Sequence, residues 1–311
     1  MCSSDNLHVG AKVRVSIVTP VRNAQAQIAR TMVSILTQDV FQDRTVELEY
    51  VIVDGQSTDG TLSVVEKTLS LMNAKVRLVS EPDRGMYDAL SKGLRLTTGA
   101  IIGYLNAGDI LYPGAIRAVV QALSIEDVSW ITGTIAVISS DGITYSVQKP
   151  YRYLSKFIKW GAYGIQLPFI QQESTFWRHD LMELIDIDLL GTFRLAGDFY
   201  LWYKFSSQHK LFVVDALLGG FERKSGQLSE DLVGYRSEVQ NIADPRSSGS
   251  CFALTLERVY WAFFFRVQTC ANSGRDRIAM NDASQRFVIC DNGNCHSVRR
   301  WLSSILSKFR V

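Results

Sequence analysis

Nowhere does the chain contain about 18 uninterrupted apolar residues, so no membrane-spanning helix is expected. "VYWAFFFRVQ" (259–268) comes nearest, but Glu257 and Arg258 precede it and Arg266 interrupts it; it reads as core or interface. Cysteine is scarce and odd in number, five in 311 residues, which fits reduced thiols in a cytoplasmic protein rather than a disulfide framework. An excess of one charge is missing too: the formal net charge is +2, which gives no overall electrostatic case for nucleic acid. The opening "MCSSDNLHVGAKVRVSIVTP" lacks the basic-then-apolar order of a secretory leader, and none is expected. No G-x-G-x-x-G follows the first apolar run, and no G-x-x-x-x-G-K-[ST] occurs, which argues against a dinucleotide dehydrogenase and a P-loop enzyme. "CDNGNCH" brings Cys290, Cys295 and His296 together, but a structural zinc needs a fourth ligand and this spacing is uncommon, so free thiols are expected. There is no internal repeat, low-complexity segment or Pro/Gly-rich linker.

What is present is core. Apolar residues make up 47% of the chain and charged residues 21%, enough for one large α/β domain or a domain with an appendage. The first half alternates two periods. "VRVSIVTP" (13–20), "LEYVIVDG" (48–55), "KVRLVS" (75–80) and "AIIGYLN" (100–106) are β-branched, apolar strand signals. Between them lie helical patterns. In 23–38, Asn23 is the candidate N-cap, and Ile28, Met32, Ile35 and Leu36 share one face. A second helix starts after Ser57 or Thr58, and a third covers 85–99. Near-continuous apolar strands separated by helices predict a mostly parallel sheet covered on both faces. In such sheets ligands bind beyond the carboxyl ends of the strands. Later, "VSWITGTIAVISSDGITYSVQ" predicts two strands joined at Asp141-Gly142, 195–208 a helix with Asp198 in its first turn, 210–220 a strand, and the chain from about 230 helices and loops.

Three acids stand at strand or helix ends. Asp54 follows the second strand, where Ser57, Thr58 and Asp59 already satisfy the turn, so it is surplus to turn chemistry. Asp109, in "YLNAGDILYPG" (104–114), sits too early to cap the helix after Pro113. Asp198 in a first helical turn suits the helix dipole as well as a functional role.

Taken together and in order, "VSIVTPVRNA", "VIVDGQSTDGT", "SEPDRGMYDALSKGL", "YLNAGD", "QQESTFWRHDL" and "AGDFYLWYKF" resemble the family 2 inverting glycosyltransferases of the GT-A fold. Within that family they look most like bacterial enzymes of exopolysaccharide, capsule and O-antigen assembly. The resemblance covers residues 13 to about 229. It implies a Rossmann-like sheet with a nucleotide-sugar half (13–125) and an acceptor half (126–229), followed by a C-terminal helical extension (230–311). It implies that Thr19 and Pro20 line the nucleotide pocket, Asp54 bonds the base, and Asp83 and Arg84 lie by the sugar and diphosphate next to Gly85. Gly55 stands where the family often has a second acid, and Ser91 where an asparagine is usual. In "NAGD", only Asp109 remains of the family's Asp-x-Asp metal motif, with Asn106 upstream, so Asp109 is the implied ligand of Mg²⁺ or Mn²⁺. Asp198 is the implied general base, with Glu173 next in line. Gln172 falls in an acceptor-side segment, and Gln227 and Ser229 in a loop that closes over the site. The implied partners are a nucleotide-sugar donor and a glycan or lipid-linked acceptor in cell-surface polysaccharide synthesis. Two other readings carry less: a sugar nucleotidyltransferase, which commonly has a Gly-rich basic loop where this chain has "TPVRNA", and a nucleotide-sugar-binding protein without catalysis, against which Asp109 and Asp198 argue.

The tail "HSVRRWLSSILSKFRV" (296–311) puts Val298, Trp301, Leu302, Ile305 and Phe309 on one helical face, with Arg299, Arg300, Lys308 and Arg310 elsewhere. That pattern suits a helix docked on the domain or one lying on an anionic membrane surface, which would make the protein cytoplasmic and peripheral on the inner face of the cell membrane.

Overall fold

Two long neighbouring strands, β1 (Val13–Val21) and β2 (Val46–Asp54), form the spine of the molecule. A computed structural model describes residues 12–72, 74–246, 248–266, 277–281 and 286–289. The other strands are β3 (Arg77–Ser80), β4 (Ile101–Tyr104), β5 (Ile110–Leu111), β6 (Trp130–Thr132), β7 (Ile135–Ile138), β8 (Thr144–Gln148), β9 (Thr175–Arg178), β10 (Leu211–Val214), β11 (Gly219–Glu222), β12 (Arg277–Asn281) and β13 (Arg286–Ile289). The helices are α1 (Ile28–Leu36), α2 (Asp39–Gln42), α3 (Thr61–Met72), α4 (Met86–Leu94), α5 (Ala115–Leu123), α6 (Ser155–Lys159), α7 (Ile187–Leu190), α8 (Gly197–Ser206), α9 (Leu232–Ile242) and α10 (Ser248–Arg266).

Nine strands form one sheet in the order β13-β12-β10-β6-β9-β4-β1-β2-β3. It is mostly parallel, as the sequence predicts; β9 runs against both β4 and β6, and β13 against β12. Strand side chains alternate between two cores. Val15, Ile17, Tyr50 and Ile52 pack with Ile28, Met32, Ile35, Val65, Ile116 and Val119 on one face. Val18, Val51 and Val53 pack with Leu90, Leu94, Trp177, Leu201 and Phe205 on the other. β1 has β2 on one side and β4 on the other, so the chain changes direction across the sheet at β1, and the carboxyl ends of β1, β2 and β4 form a crevice.

A second sheet, β5-β11-β7-β8, stands beside the first. β6 continues into β7 through Gly133 and Thr134, and β10 into β11 through residues 215–218. The pairs β6·β10 and β7·β11 are both parallel, so two adjacent lengths of chain pass together from one sheet to the other. Thr134 N–H donates to Ala216 C=O at 2.9 Å, and a Cβ on Gly133 would lie 2.7 Å from Leu218.

Several local expectations change. The first helix begins at Ile28, not Asn23. Asn23 is left-handed (φ 49°), and its Oδ1 accepts from Thr58 N–H at 2.8 Å, tying the exit of β1 to the exit of β2. Neither Ser57 nor Thr58 caps α3; Asp59 Oδ1 accepts from Thr61 N–H at 2.9 Å. α4 ends at Leu94, short of Gly99. The expected pair of strands at 128–148 is three, and the expected strand at 210–220 is two in different sheets. β9 lies within residues 150–185, an aromatic stretch without a clear period in the sequence. From residue 230 the helices α9 and α10 are as expected, but β12 and β13 extend the large sheet, which the reading as a purely helical extension lacked. This region is tied to the rest: Glu257 pairs with Arg152 at 2.9 Å, and Trp261 packs on Tyr153 and Tyr163. Cys251 on α10 is an exposed free thiol. Cys290, Cys295, His296 and the amphipathic tail lie outside the described residues, and among the described residues no helix is long and apolar enough to cross a membrane.

Candidate active site

The crevice is lined first by the ends of β1 and β2. Pro20 is in register with Val53, and Val21 with Asp54. Thr19 is fully buried and shares a 3.0 Å hydrogen bond with the Tyr50 hydroxyl. Asp54 is also fully buried and holds its own loop: it accepts from Ser57 N–H and, at 2.7 Å, from the Ser80 hydroxyl. Asp83 lies against the next residue. A Cβ on Gly55 would fall 2.0 Å from Asp83 Oδ2, so the absence of a side chain at 55 gives the Asp83 carboxylate its place. Asp83 Oδ1 accepts from Gly85 N–H at 3.0 Å, with Arg22 3.9 Å away. Arg84 is exposed, and its guanidinium is engaged by Asp88 at 2.6 Å.

A second group of acids gathers beyond β4. Asn106 donates to Gln172 Oε1 at 3.0 Å, and Gln172 donates to Tyr104 C=O. Asn106 Oδ1 is buried without a hydrogen-bond partner. Asp109 is 3% exposed, and its Oδ1 accepts from Glu222 N–H at 2.8 Å. Burial pushes its carboxyl up to about 7; the neighbouring Glu222 adds to this, while the Glu222 N–H, Arg30 and Lys224 oppose it. Glu173 is raised well above the usual range, by burial first and then by the charges of Asp109 and Asp198. Asp198, in the first turn of α8, is raised to about 6 by burial, against hydrogen bonds from Phe199 N–H and Tyr87. Burial and Asp198 together hold the hydroxyls of Tyr87, Tyr104 and Tyr235 protonated. The structure therefore places Glu173 in the field of both Asp109 and Asp198, with phenols around Asp198. All three carboxyls are raised in the same direction by burial, and such perturbed groups gathered together make this a candidate site for acid–base chemistry.

Gln227 closes its own loop, donating to Glu222 C=O at 2.8 Å and accepting from Lys224 N–H, and Ser229 is exposed. α8 is supported from behind: Glu238 on α9 accepts from the N–H groups of Arg194, Leu195 and Ala196.

Among the described residues no three His, Cys, Asp or Glu side chains converge as a self-contained metal cage. Besides the buried carboxylates of Glu173 and Glu222, the donors of the 106–109 loop are the Asp109 carboxylate and the unpartnered amide oxygen of Asn106. Both are hard oxygen donors, and they fit a Mg²⁺ or Mn²⁺ ion whose other positions come from phosphate and water.

Sequence reasoning missed Arg30, Glu222 and Glu238. Glu222 has a faint signal, an acid at the end of a strand that begins Gly219-Gly220. A Cβ on Gly219 would lie 2.1 Å from the Glu173 backbone, so that glycine lets β11 approach the acids.

Comparison with known proteins gives the family and the fold. Residues 16–185, more than half of the chain, match the Glycosyl transferase family 2. A 113-residue stretch is 34% identical to a hyaluronan synthase of Pasteurella multocida, covering 36% of this chain and 11% of that one. The chain thus spans only a small part of this relative. Residues 1–349 of S. aureus TarS, solved with UDP-GlcNAc, share the fold with a TM-score of 0.56 at 17% identity, over 82% of this chain and 74% of that one. The mannosyltransferase PcManGT of Pyrobaculum calidifontis, solved with GDP-Man and Mn²⁺, does so with a TM-score of 0.54 at 18% identity, over 83% of this chain and 71% of that one.

Proposed function

Since the chain belongs to glycosyl transferase family 2, we propose that it moves a sugar from a nucleotide-sugar donor to a hydroxyl of a glycan or lipid-linked acceptor, with inversion and with a divalent metal, in cell-surface polysaccharide synthesis. The observation that carries this reading is a pair of buried acids, Asp109 and Asp198, each raised by burial and both acting on the one buried carboxyl of Glu173. Two such groups suit the two halves of a displacement, one at the leaving diphosphate and one at the incoming hydroxyl.

In this reading the nucleoside occupies the end of β1 and β2, with Thr19 and Pro20 as its floor and Asp54 beside it, and Asp83 lies by the sugar and diphosphate. Arg84, with Asp88 as its present partner, is within the same segment for the diphosphate. Asp109, with Asn106, would hold Mg²⁺ or Mn²⁺, whose charge screens the negative charge that grows on the diphosphate as the glycosidic bond breaks. Asp198 accepts the proton of the acceptor hydroxyl as its oxygen attacks the anomeric carbon from the opposite side, a step worth ~10²–10⁴-fold. One direct attack inverts that carbon and needs no enzyme-bound sugar. Gln172 lies on the acceptor side, and Gln227 and Ser229 belong to the loop that covers the ligands. The division into a transferase domain (1–229) and a following segment (230–311), and a cytoplasmic, peripheral location through the basic tail, belong to the same proposal.

The test is a thermal-shift panel of nucleotide sugars with Mn²⁺, followed by transfer assays with the donor that binds. A donor that raises the melting temperature and is turned over supports the reading. Binding without turnover across acceptors favours a non-catalytic binding protein, and release of pyrophosphate from a triphosphate favours a nucleotidyltransferase.

A further inference from the structure

Arg30 and Glu222 belong to none of the sequence motifs, yet they meet beside Asp109. Arg30 projects from α1. Its Nη2 is 2.9 Å from both Glu222 Oε1 and Gly108 C=O, and its Nη1 donates to Ser140 C=O at 2.5 Å. One planar guanidinium thus joins α1, the 106–109 loop, β11 and the turn between β7 and β8, which a point-like ammonium cannot do. Glu222 is 1% exposed. Gly108 has φ 115°, and a Cβ there would lie 2.2 Å from Glu222 Oε2, so the carboxylate is pressed flat against the loop's backbone. The neighbouring Thr31 completes the grip: its hydroxyl accepts from Gly108 N–H at 2.9 Å and donates to Asp109 C=O at 2.8 Å. Glu222 N–H takes Asp109 Oδ1 at 2.8 Å. Among the described residues no protein hydrogen bond is directed to Asp109 Oδ2.

We propose that the ion pair of half-buried Arg30 with buried Glu222 is a positioning device for Asp109, fixing the backbone on either side of it and turning one chosen carboxylate oxygen towards the cation and diphosphate. This rests on the reading of Asp109 given above. A buried ion pair is weak as a source of stability, because desolvation offsets its attraction. Its geometric result is specific: both the 106–109 loop and β11 are set relative to α1 by one group. Partners that orient a metal ligand in this way typically change metal affinity by about 10–100-fold when lost.

The experiment uses the full chain and two variants. Arg30→Lys keeps the charge but cannot span Glu222, Gly108 and Ser140 together. The double variant Arg30→Met, Glu222→Leu leaves no unpaired buried charge. Mn²⁺ binding is read from the electron paramagnetic signal of the free ion, and the affinity for a panel of nucleoside diphosphates is read by calorimetry with and without Mn²⁺. Expected is a melting temperature close to the parent's in both variants, unchanged nucleotide affinity without metal, and Mn²⁺-supported affinity lower by about tenfold or more. Parent-like Mn²⁺-supported affinity in either folded variant overturns the inference while leaving the transferase reading intact. If the parent itself binds no nucleoside diphosphate with Mn²⁺, the transferase reading fails and this inference falls with it. Should Arg30→Lys fail to fold, the double variant decides alone.

Discussion

Asp109 accepts a 2.8 Å hydrogen bond from the backbone N–H of Glu222, 113 residues further along the chain. That bond joins the loop leaving β4, in the large sheet, to β11, in the small one. It also bears on why Asp109 can stay buried: one of its oxygens is satisfied by main chain, and in the proposed reading the other is left to a ligand.

Asp109→Ala should abolish transfer and weaken nucleotide binding in the presence of Mn²⁺, because the cation loses the one carboxylate assigned to it. EDTA should do the same to the parent protein. Radiolabelled transfer together with calorimetry reads both. Full activity in either case removes Asp109 from the mechanism.

Asp198→Asn keeps shape but cannot accept a proton. Turnover should fall by ~10²–10⁴-fold with donor affinity little changed. In the parent, kcat should rise with pH through about 6, as the carboxyl ionises. The same group bears on stability. Burial raises it from 3.8 to about 6, so between those values the folded chain holds a proton that the unfolded chain has released. Its stabilising contribution is full below pH 3.8 and is lost as pH rises through about 6, and Asp198→Asn should flatten that part of the melting-temperature profile.

Gly55→Ala places a methyl 2.0 Å from Asp83 Oδ2. The aspartate can swing aside, so the melting temperature should move little. The donor should nonetheless bind about tenfold more weakly, about 1.4 kcal/mol, when measured by calorimetry. Unchanged affinity would place Asp83 away from the donor.

Glu238→Ala strips the acceptor from the N–H groups of Arg194, Leu195 and Ala196 ahead of α8. Urea unfolding should show a loss of ~1–2 kcal/mol, the scale of a lost helix cap. Because Asp198 sits in the first turn, kcat should fall as well, with KM for the donor held.

Deleting residues 297–311 should abolish salt-sensitive sedimentation with anionic vesicles and leave the low background with neutral ones. Each basic residue is worth only about 1 kcal/mol at such a surface. Equal sedimentation of the full-length and shortened chains would sink the anchor, and unfolding of the shortened chain would indicate a docked helix.

The strands β1 to β4 are legible because each contains a short β-branched or apolar stretch between turn signals, and Asp54 and Asp109 are legible as acids at or beyond the ends of such stretches. Asp198 is legible from the helical period around it. The split of residues 210–220 is not, because Ala216, Leu217 and Leu218 keep the run apolar while the chain leaves one sheet for the other; both sheets reward the same residues. β5, two residues long, and β9, within an aromatic stretch, are too short for a period to declare itself. Arg30 and Glu222 acquire meaning only from the fold, since nothing local to either residue points to the other. Asn23 read as a cap because its residue type suits one, and tertiary contact with Thr58 took it instead.

The paired passage of β6–β7 and β10–β11 between the two sheets has a mechanical consequence. A single crossing strand could flex; two adjacent ones, latched by Thr134 N–H to Ala216 C=O and wedged by Leu218 against Gly133, resist bending and twisting alike. The small sheet therefore cannot swing as a hinged jaw. In the reading proposed above, covering the acids falls to the mostly exposed loop at 223–231, outside the frame that carries Asp109.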